Sequence, residues 1–124
     1  MTQKDKDLLL NDLCARLWYG IICDDGYGNT LELNGIDNPN TAIFKCSDKT
    51  FWTADLDKCR PYLFPLSSMT EDQKKELQSL MISDSYGILY HTLESFNYMC
   101  KNKIDFRGLI SMGLAIDATG KNIY

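Results

Sequence analysis

The amino-acid sequence predicts an α+β domain spanning residues 1–124: an N-terminal helix, a small antiparallel sheet of four or five strands, two further helices and a short terminal segment. Three observations predict it. Apolar residues near the start recur at three-and-four spacing, residues 18 to 54 break into short alternating runs between turn residues, and helical spacing returns beyond a stretch bracketed by prolines. The 124 residues are 44% hydrophobic and 24% charged, an ordinary globular mix. A chain of this length can bury a core without disulfide or metal staples.

Residues 5 to 17 place Leu9, Leu10, Leu13, Cys14 and Leu17 on one helical stripe, with Asp5, Asp7 and Asp12 toward the N-terminal side where the macrodipole favours anions. Trp18 to Cys23 reads as a first strand, rich in aromatic and β-branched residues, and Asp24 to Asn29 supplies a hairpin turn. Thr30 to Ile36 alternates Leu31 and Leu33 with Glu32 and Asn34. Thr41 to Cys46 sets Ala42, Phe44 and Cys46 on one face, and Thr50 to Ala54 is a short fourth strand. Four such strands make an antiparallel meander, and a curled or barrel-like sheet is one way for them to protect their edges.

Pro61 and Pro65 flank Tyr62-Leu63-Phe64, which predicts an extended connector covering the sheet rather than a central strand. Thr70 and Gln73 fit a capping box, with Leu77, Leu80 and Met81 as the stripe of the following helix. Ser83-Asp84-Ser85 recaps the chain, and Tyr86, Leu89, Tyr90, Leu93, Phe96 and Cys100 follow helical spacing, which predicts a long helix from about 84 to 101 with a broad buried aromatic face. From Asp105 onward, Gly108, Gly113 and Gly120 punctuate Leu109-Ile110 and Leu114-Ala115-Ile116, giving a tight turn or short helix and then a last strand.

Thirteen basic against seventeen acidic residues leave a net charge of −4 and an isoelectric point near 4.8, which excludes a broad nucleic-acid surface. The charged N-terminus followed by only three leucines is too short for a signal-peptide core or a membrane span, so a cytoplasmic location is expected. Five cysteines, Cys14, Cys23, Cys46, Cys59 and Cys100, lack zinc-module spacing and read as reduced thiols packed in the core. The turn aspartates match no calcium loop, and Gly26-Tyr27-Gly28 lacks the context of a phosphate loop, so neither metal nor cofactor is expected.

A cysteine-dependent enzyme would need a base, and His91 is the one histidine; on the predicted long helix it sits off the apolar face, one turn before Glu94. No catalytic residue is assigned. Two features go beyond core building. Tyr27 at a hairpin tip and one of the adjacent pair Phe51 and Trp52 should point outward, forming a recognition surface on the sheet half. Lys101, Lys103 and Arg107 cluster after the second-half helix, where they could seat a phosphate or carboxylate or simply complement the helix dipole.

Three stretches, Asp12 to Gly20 (DLCARLWYG), Arg60 to Thr70 (RPYLFPLSSMT) and Asp105 to Ala115 (DFRGLISMGLA), resemble a family of small proteins of gut Bacteroidetes, their prophages and phages. The family commonly has Pro in place of Trp18, Arg in place of Phe64, and a tail running Pro-Glu-Gly-Met-Tyr after the position of Ala118. The resemblance transfers no catalytic residue. It implies a mobile-element context in which short acidic proteins bind and block a host component, a counter-defence role.

The arginines of these stretches, Arg16, Arg60 and Arg107, are placed to tie carbonyls or carboxylates between segments, and would form an anion site if they converged. The leading expectation is a non-enzymatic binding module engaging a host or phage protein through an aromatic-bearing surface, a use that could include a homodimer. The alternative is a protein that sequesters a nucleotide, with Arg16, Arg60, Lys101, Lys103 or Arg107 around the phosphate and an aromatic ring such as Tyr27 or Trp52 on the base.

Overall fold

A computed structural model describes all residues from Met1 to Tyr124. Helix α1 runs Gln3–Arg16, opened by a capping box in which the Thr2 hydroxyl accepts from the Asp5 amide. Its buried stripe is Leu9, Asp12, Leu13 and Arg16, and Cys14, expected inside, is exposed. The helix face is rotated because Asp12 and Arg16 neutralise each other and enter the interior as a pair. A 3₁₀ turn, Leu17–Tyr19, extends the helix, and Gly20 reverses the chain at φ 75°. The expected strand from Trp18 is therefore shortened to β1, Ile22–Asp24.

Strands β2 (Thr30–Asp37), β3 (Thr41–Lys45) and β4 (Phe51–Asp55) follow as the expected meander, with a register shift between Leu33 and Gly35. The connector between the prolines is a correction. Arg60–Pro65 forms β5, an inner strand that pairs antiparallel with β1 on one side. Its prolines lie at the second and last positions, so the missing amides fall near the strand ends. It also pairs in parallel with β8 (Ile104–Asp105) and with β9 (Ile116–Asp117), using adjacent residues that face opposite edges of the strand. The amide of Phe64 donates to Lys103 O at 2.7 Å and that of Ala118 to Leu63 O at 2.8 Å. The sheet, ordered β4-β3-β2-β1-β5-β8 with β9 beside β5, is mixed rather than purely antiparallel and is not closed into a barrel.

Helix α2 (Glu71–Ser79) has the expected capping box, Thr70 with Gln73. The long helix over 84–101 does not form. Instead, β6 (Ile82–Ser83) and β7 (Leu89–Tyr90) make a separate hairpin, and only Leu93–Lys101 is helical, as α3. Asp84 decides this locally. Its Oδ1 accepts from the amides of Tyr86 (2.8 Å) and Ile88 (2.9 Å), its Oδ2 from the Tyr90 hydroxyl (3.0 Å), and Gly87 supplies φ 78° at the turn. Thr92 then caps α3 and donates its hydroxyl to Leu80 O at 2.6 Å, tying the foot of the hairpin to the end of α2.

The main core lies between α1, the sheet and the segment from Leu109 to Ala115, and includes Leu9, Leu13, Phe44, Leu56 and Leu63. A smaller one, Met69, Met99 and Ile104, joins α3 and β8 to the segment leading into α2. No helix is long and apolar enough to cross a membrane.

Candidate functional site

The three arginines do not converge on one pocket. Arg16 is fully buried: its Nε donates to Asp12 Oδ2 at 2.9 Å, Nη2 to Ile104 O at 2.7 Å, and Nη1 reaches toward Met99 O at 3.5 Å. Arg107 takes the other oxygen of Asp12, and both guanidiniums lie against Phe106, at 5.2 Å for Arg16 and 4.3 Å for Arg107. Arg60 is elsewhere, donating to the carbonyls of Gly113, Asp57 and Cys59. These hydrogen bonds join the first of the resembling stretches to the third, and the second to the third. They leave the two inner guanidiniums spent on the fold.

Tyr27 and Trp52 do meet. Their rings stand edge to face with centroids 6.1 Å apart, and Lys58 Nζ donates to the Tyr27 hydroxyl at 3.1 Å while lying 5.1 Å from its ring. Beneath them the Asp25 carboxylate organises the hairpin tip, accepting from the amides of Tyr27 and Asn29 and from the Asn29 side chain. Burial alone would raise its pKa, but the Asn29, Tyr27 and Trp52 hydrogen bonds outweigh it and hold the carboxyl below the usual range. Phe51 is exposed beside Trp52 on β4, an edge strand.

Lys101 and Lys103 line a cleft of about 460 Å³ between the end of β5, the start of α2, the end of α3 and the C-terminal residues. Phe64 and Tyr124 form its aromatic wall, with ring centroids 6.0 Å apart. The Tyr124 hydroxyl is anchored between strands, accepting from the Ile22 amide at 3.0 Å and donating to Tyr62 O at 2.8 Å, and burial raises its pKa. Lys103 Nζ lies 5.1 Å from the Tyr124 ring and donates to Lys101 O at 2.8 Å. Arg107, grouped with these lysines by sequence, points instead into the Asp12 network.

Five residues that helical spacing assigns to a buried face, Tyr86, Leu89, Tyr90, Leu93 and Phe96, are instead exposed, and Ile82 and Ile88 are exposed beside them. All seven lie on the β6–β7 hairpin and the start of α3, with Tyr86 at 88% and Leu93 at 77%. The turn signal Ser83-Asp84-Ser85-Tyr86-Gly87 could have located this hairpin.

Cys23, Cys59 and Cys100 are buried, and burial is the main reason each thiol titrates above its ordinary value, Cys59 being pushed up to about 12. His91 Nδ1 lies 3.0 Å from Ser95 Oγ, whose other bonds cap α3. No group of three His, Cys, Asp or Glu side chains is gathered closely enough to hold a metal ion.

No family model, no curated protein and no solved structure matches the chain.

Proposed function

We propose that the chain is a non-enzymatic binding module that engages another protein through the exposed aromatic and aliphatic surface of the β6–β7 hairpin and the start of α3. One observation carries the reading: seven large apolar side chains stand open on a single short stretch of chain. Weighted by their exposures, and taking areas of about 150–250 Å² for side chains of this size, they leave on the order of 600–1,000 Å² uncovered in total, divided between the face that carries Ile82 and Tyr90 and the opposite face that carries Leu89. That total is of the same order as the roughly 800 Å² that each partner contributes to a standard interface, so a partner that grips the hairpin from both faces would bury it.

Rigid presentation supports the reading further. Asp84 fixes the turn that displays Tyr86, and Thr92 fixes the base, so little conformational entropy is lost when a partner docks. Between Ile82 and Leu93 the only acidic residue is Asp84, both of whose oxygens are engaged within the hairpin. The Tyr27–Trp52–Phe51 surface on the sheet half is smaller, and the Trp52 side chain and the Tyr27 amide are engaged by the Asp25 carboxylate. Taken with the resemblance to proteins of Bacteroidetes phages and prophages, the partner is a host or phage protein, and a second copy of this chain could use the same surface.

The test compares wild type with a Tyr86→Ser, Leu93→Ser double variant in lysate capture and in sedimentation velocity. A defined partner or self-association should be lost in the variant while its circular dichroism and melting temperature stay unchanged. Capture and mass identical in both proteins, or a wild type that stays monomeric and captures nothing, would refute the proposal.

A further inference from the structure

The cleft beside Lys101 and Lys103 has a chemistry that the hairpin surface does not use. Its volume, about 460 Å³, falls in the range of small-molecule sites. No acidic side chain lines it, although the chain as a whole carries a net charge of −4. Neither lysine belongs to any of the three ion pairs of the molecule. Two lysines therefore line a partly enclosed space that has no acidic side chain, beside an aromatic wall formed by Phe64 and Tyr124.

Lys103 is held in place by its backbone. It adopts φ 58°, a left-handed conformation unusual for a residue with a side chain, and is kept there because its amide donates to Cys100 O (3.1 Å) and its carbonyl accepts from Phe64 N (2.7 Å). The side chain is thereby directed over the Tyr124 ring. Burial is the main cause of a lowered Lys103 pKa, the charge of Arg16 adds to it, and the charge of Glu32 opposes it. An ammonium in this position has lost part of its water and gained only a carbonyl and a ring face in exchange.

We propose that this cleft binds a small organic anion, its phosphate or carboxylate held by Lys101 and Lys103 and its flat apolar body laid against Phe64 and Tyr124. Polar side chains at the rim, Gln73 and Thr119, offer further hydrogen bonds to such a ligand. Both parts of the ligand are needed. A bare inorganic anion gains nothing from the aromatic wall, and a neutral ring leaves the ammonium groups unanswered.

The test is calorimetric titration and thermal shift with adenosine monophosphate and benzoate, set against adenosine and inorganic phosphate. At least one of the two organic anions should raise the melting temperature and bind more tightly than adenosine or inorganic phosphate alone. Binding of adenosine monophosphate alone assigns the head group as phosphate, and binding of benzoate alone assigns it as carboxylate. Lys103→Met, which keeps the apolar stem, and Lys101→Glu, at an exposed position, should each weaken binding by about tenfold, the loss of one charge-assisted hydrogen bond.

Amide resonances of Lys101, Lys103, Thr119 and Gly120 should shift on titration, a readout that does not depend on either variant folding. No binding of either organic anion at millimolar concentration, resonance shifts elsewhere in the molecule, or wild-type affinity retained in both variants would overturn the proposal. Partner capture through the hairpin should be unaffected by Lys101→Glu, so the two readings fail separately.

Discussion

Substituting Asp12→Asn tests the arginine network directly. Asp12 is fully buried and gives one carboxylate oxygen to Arg16 and the other to Arg107. The asparagine is nearly the same size but carries no charge, and its NH₂ group must face one of the two guanidiniums. Arg16, also with no solvent exposure, cannot recruit water in compensation. Removing one partner of a buried ion pair costs about 3–5 kcal/mol, a large share of the roughly 5–15 kcal/mol that holds a domain folded.

The expected melting-temperature drop is about 10–20 °C. Urea unfolding followed by circular dichroism at neutral pH measures the change as a shifted midpoint at constant slope. Arg107→Met should cost less, about 1 kcal/mol, because that side chain is 26% exposed and water can take over part of its role. The double variant Asp12→Leu, Arg16→Met removes both inner charges and should recover much of the loss seen in Asp12→Asn. An Asp12→Asn protein within about 1 kcal/mol of wild type would refute the reasoning, since it would make the buried pair no more valuable than a surface one.

Three further outcomes are expected. Gly26→Ala should destabilise more than Gly28→Ala in the same urea assay: both have positive φ, but a Cβ at Gly26 would lie 2.8 Å from Lys58 Cβ and from Lys58 O, whereas at Gly28 it meets nothing within 4 Å. The folded-state pKa of Asp25 is lowered, so its stabilisation is complete above the unfolded value of about 3.9 and is lost as pH falls through the folded value. Asp25→Asn should therefore be less stable at neutral pH and lose less stability on acidification, as read from urea midpoints between neutral and acid pH. Timed iodoacetamide labelling with mass spectrometry should modify exposed Cys14 first, and Cys23, Cys59 and Cys100 only on unfolding, because burial keeps those thiols protonated.

Elements governed by nearby residues are legible in the sequence. The Thr70 and Gln73 capping box, the Asp24 to Asn29 hairpin tip and the strands from Thr30, Thr41 and Phe51 depend on hydrogen bonds and alternation within a few positions. The expected long helix does not form: Tyr86, Leu89, Tyr90, Leu93 and Phe96 satisfy helical spacing, but Asp84, Gly87 and Thr92 satisfy a turn and a cap. Where the two signals compete, hydrogen bonds to the Asp84 carboxylate hold the hairpin turn and leave the apolar residues uncovered. Of the candidate residues, Lys101 and Lys103 share the cleft and Tyr27 pairs with Trp52, but no spacing shows that Arg16 is buried or that Tyr124 walls the cleft.

Composition and local pattern are thus sufficient for the α+β class, the presence of α1, the start of α2 and the β2–β4 meander, since caps, turns and alternation act between neighbours in the chain. Long-range packing set the rest. The proline-flanked strand β5 is an inner strand because β1 and two segments about forty to fifty residues further along, β8 and β9, all pair with it and between them occupy both its edges. Such pairings, like the joining of Arg16 and Arg107 through Asp12, depend on which distant segments meet. No residue carries that information in its own neighbourhood, because it resides in the fit of whole surfaces.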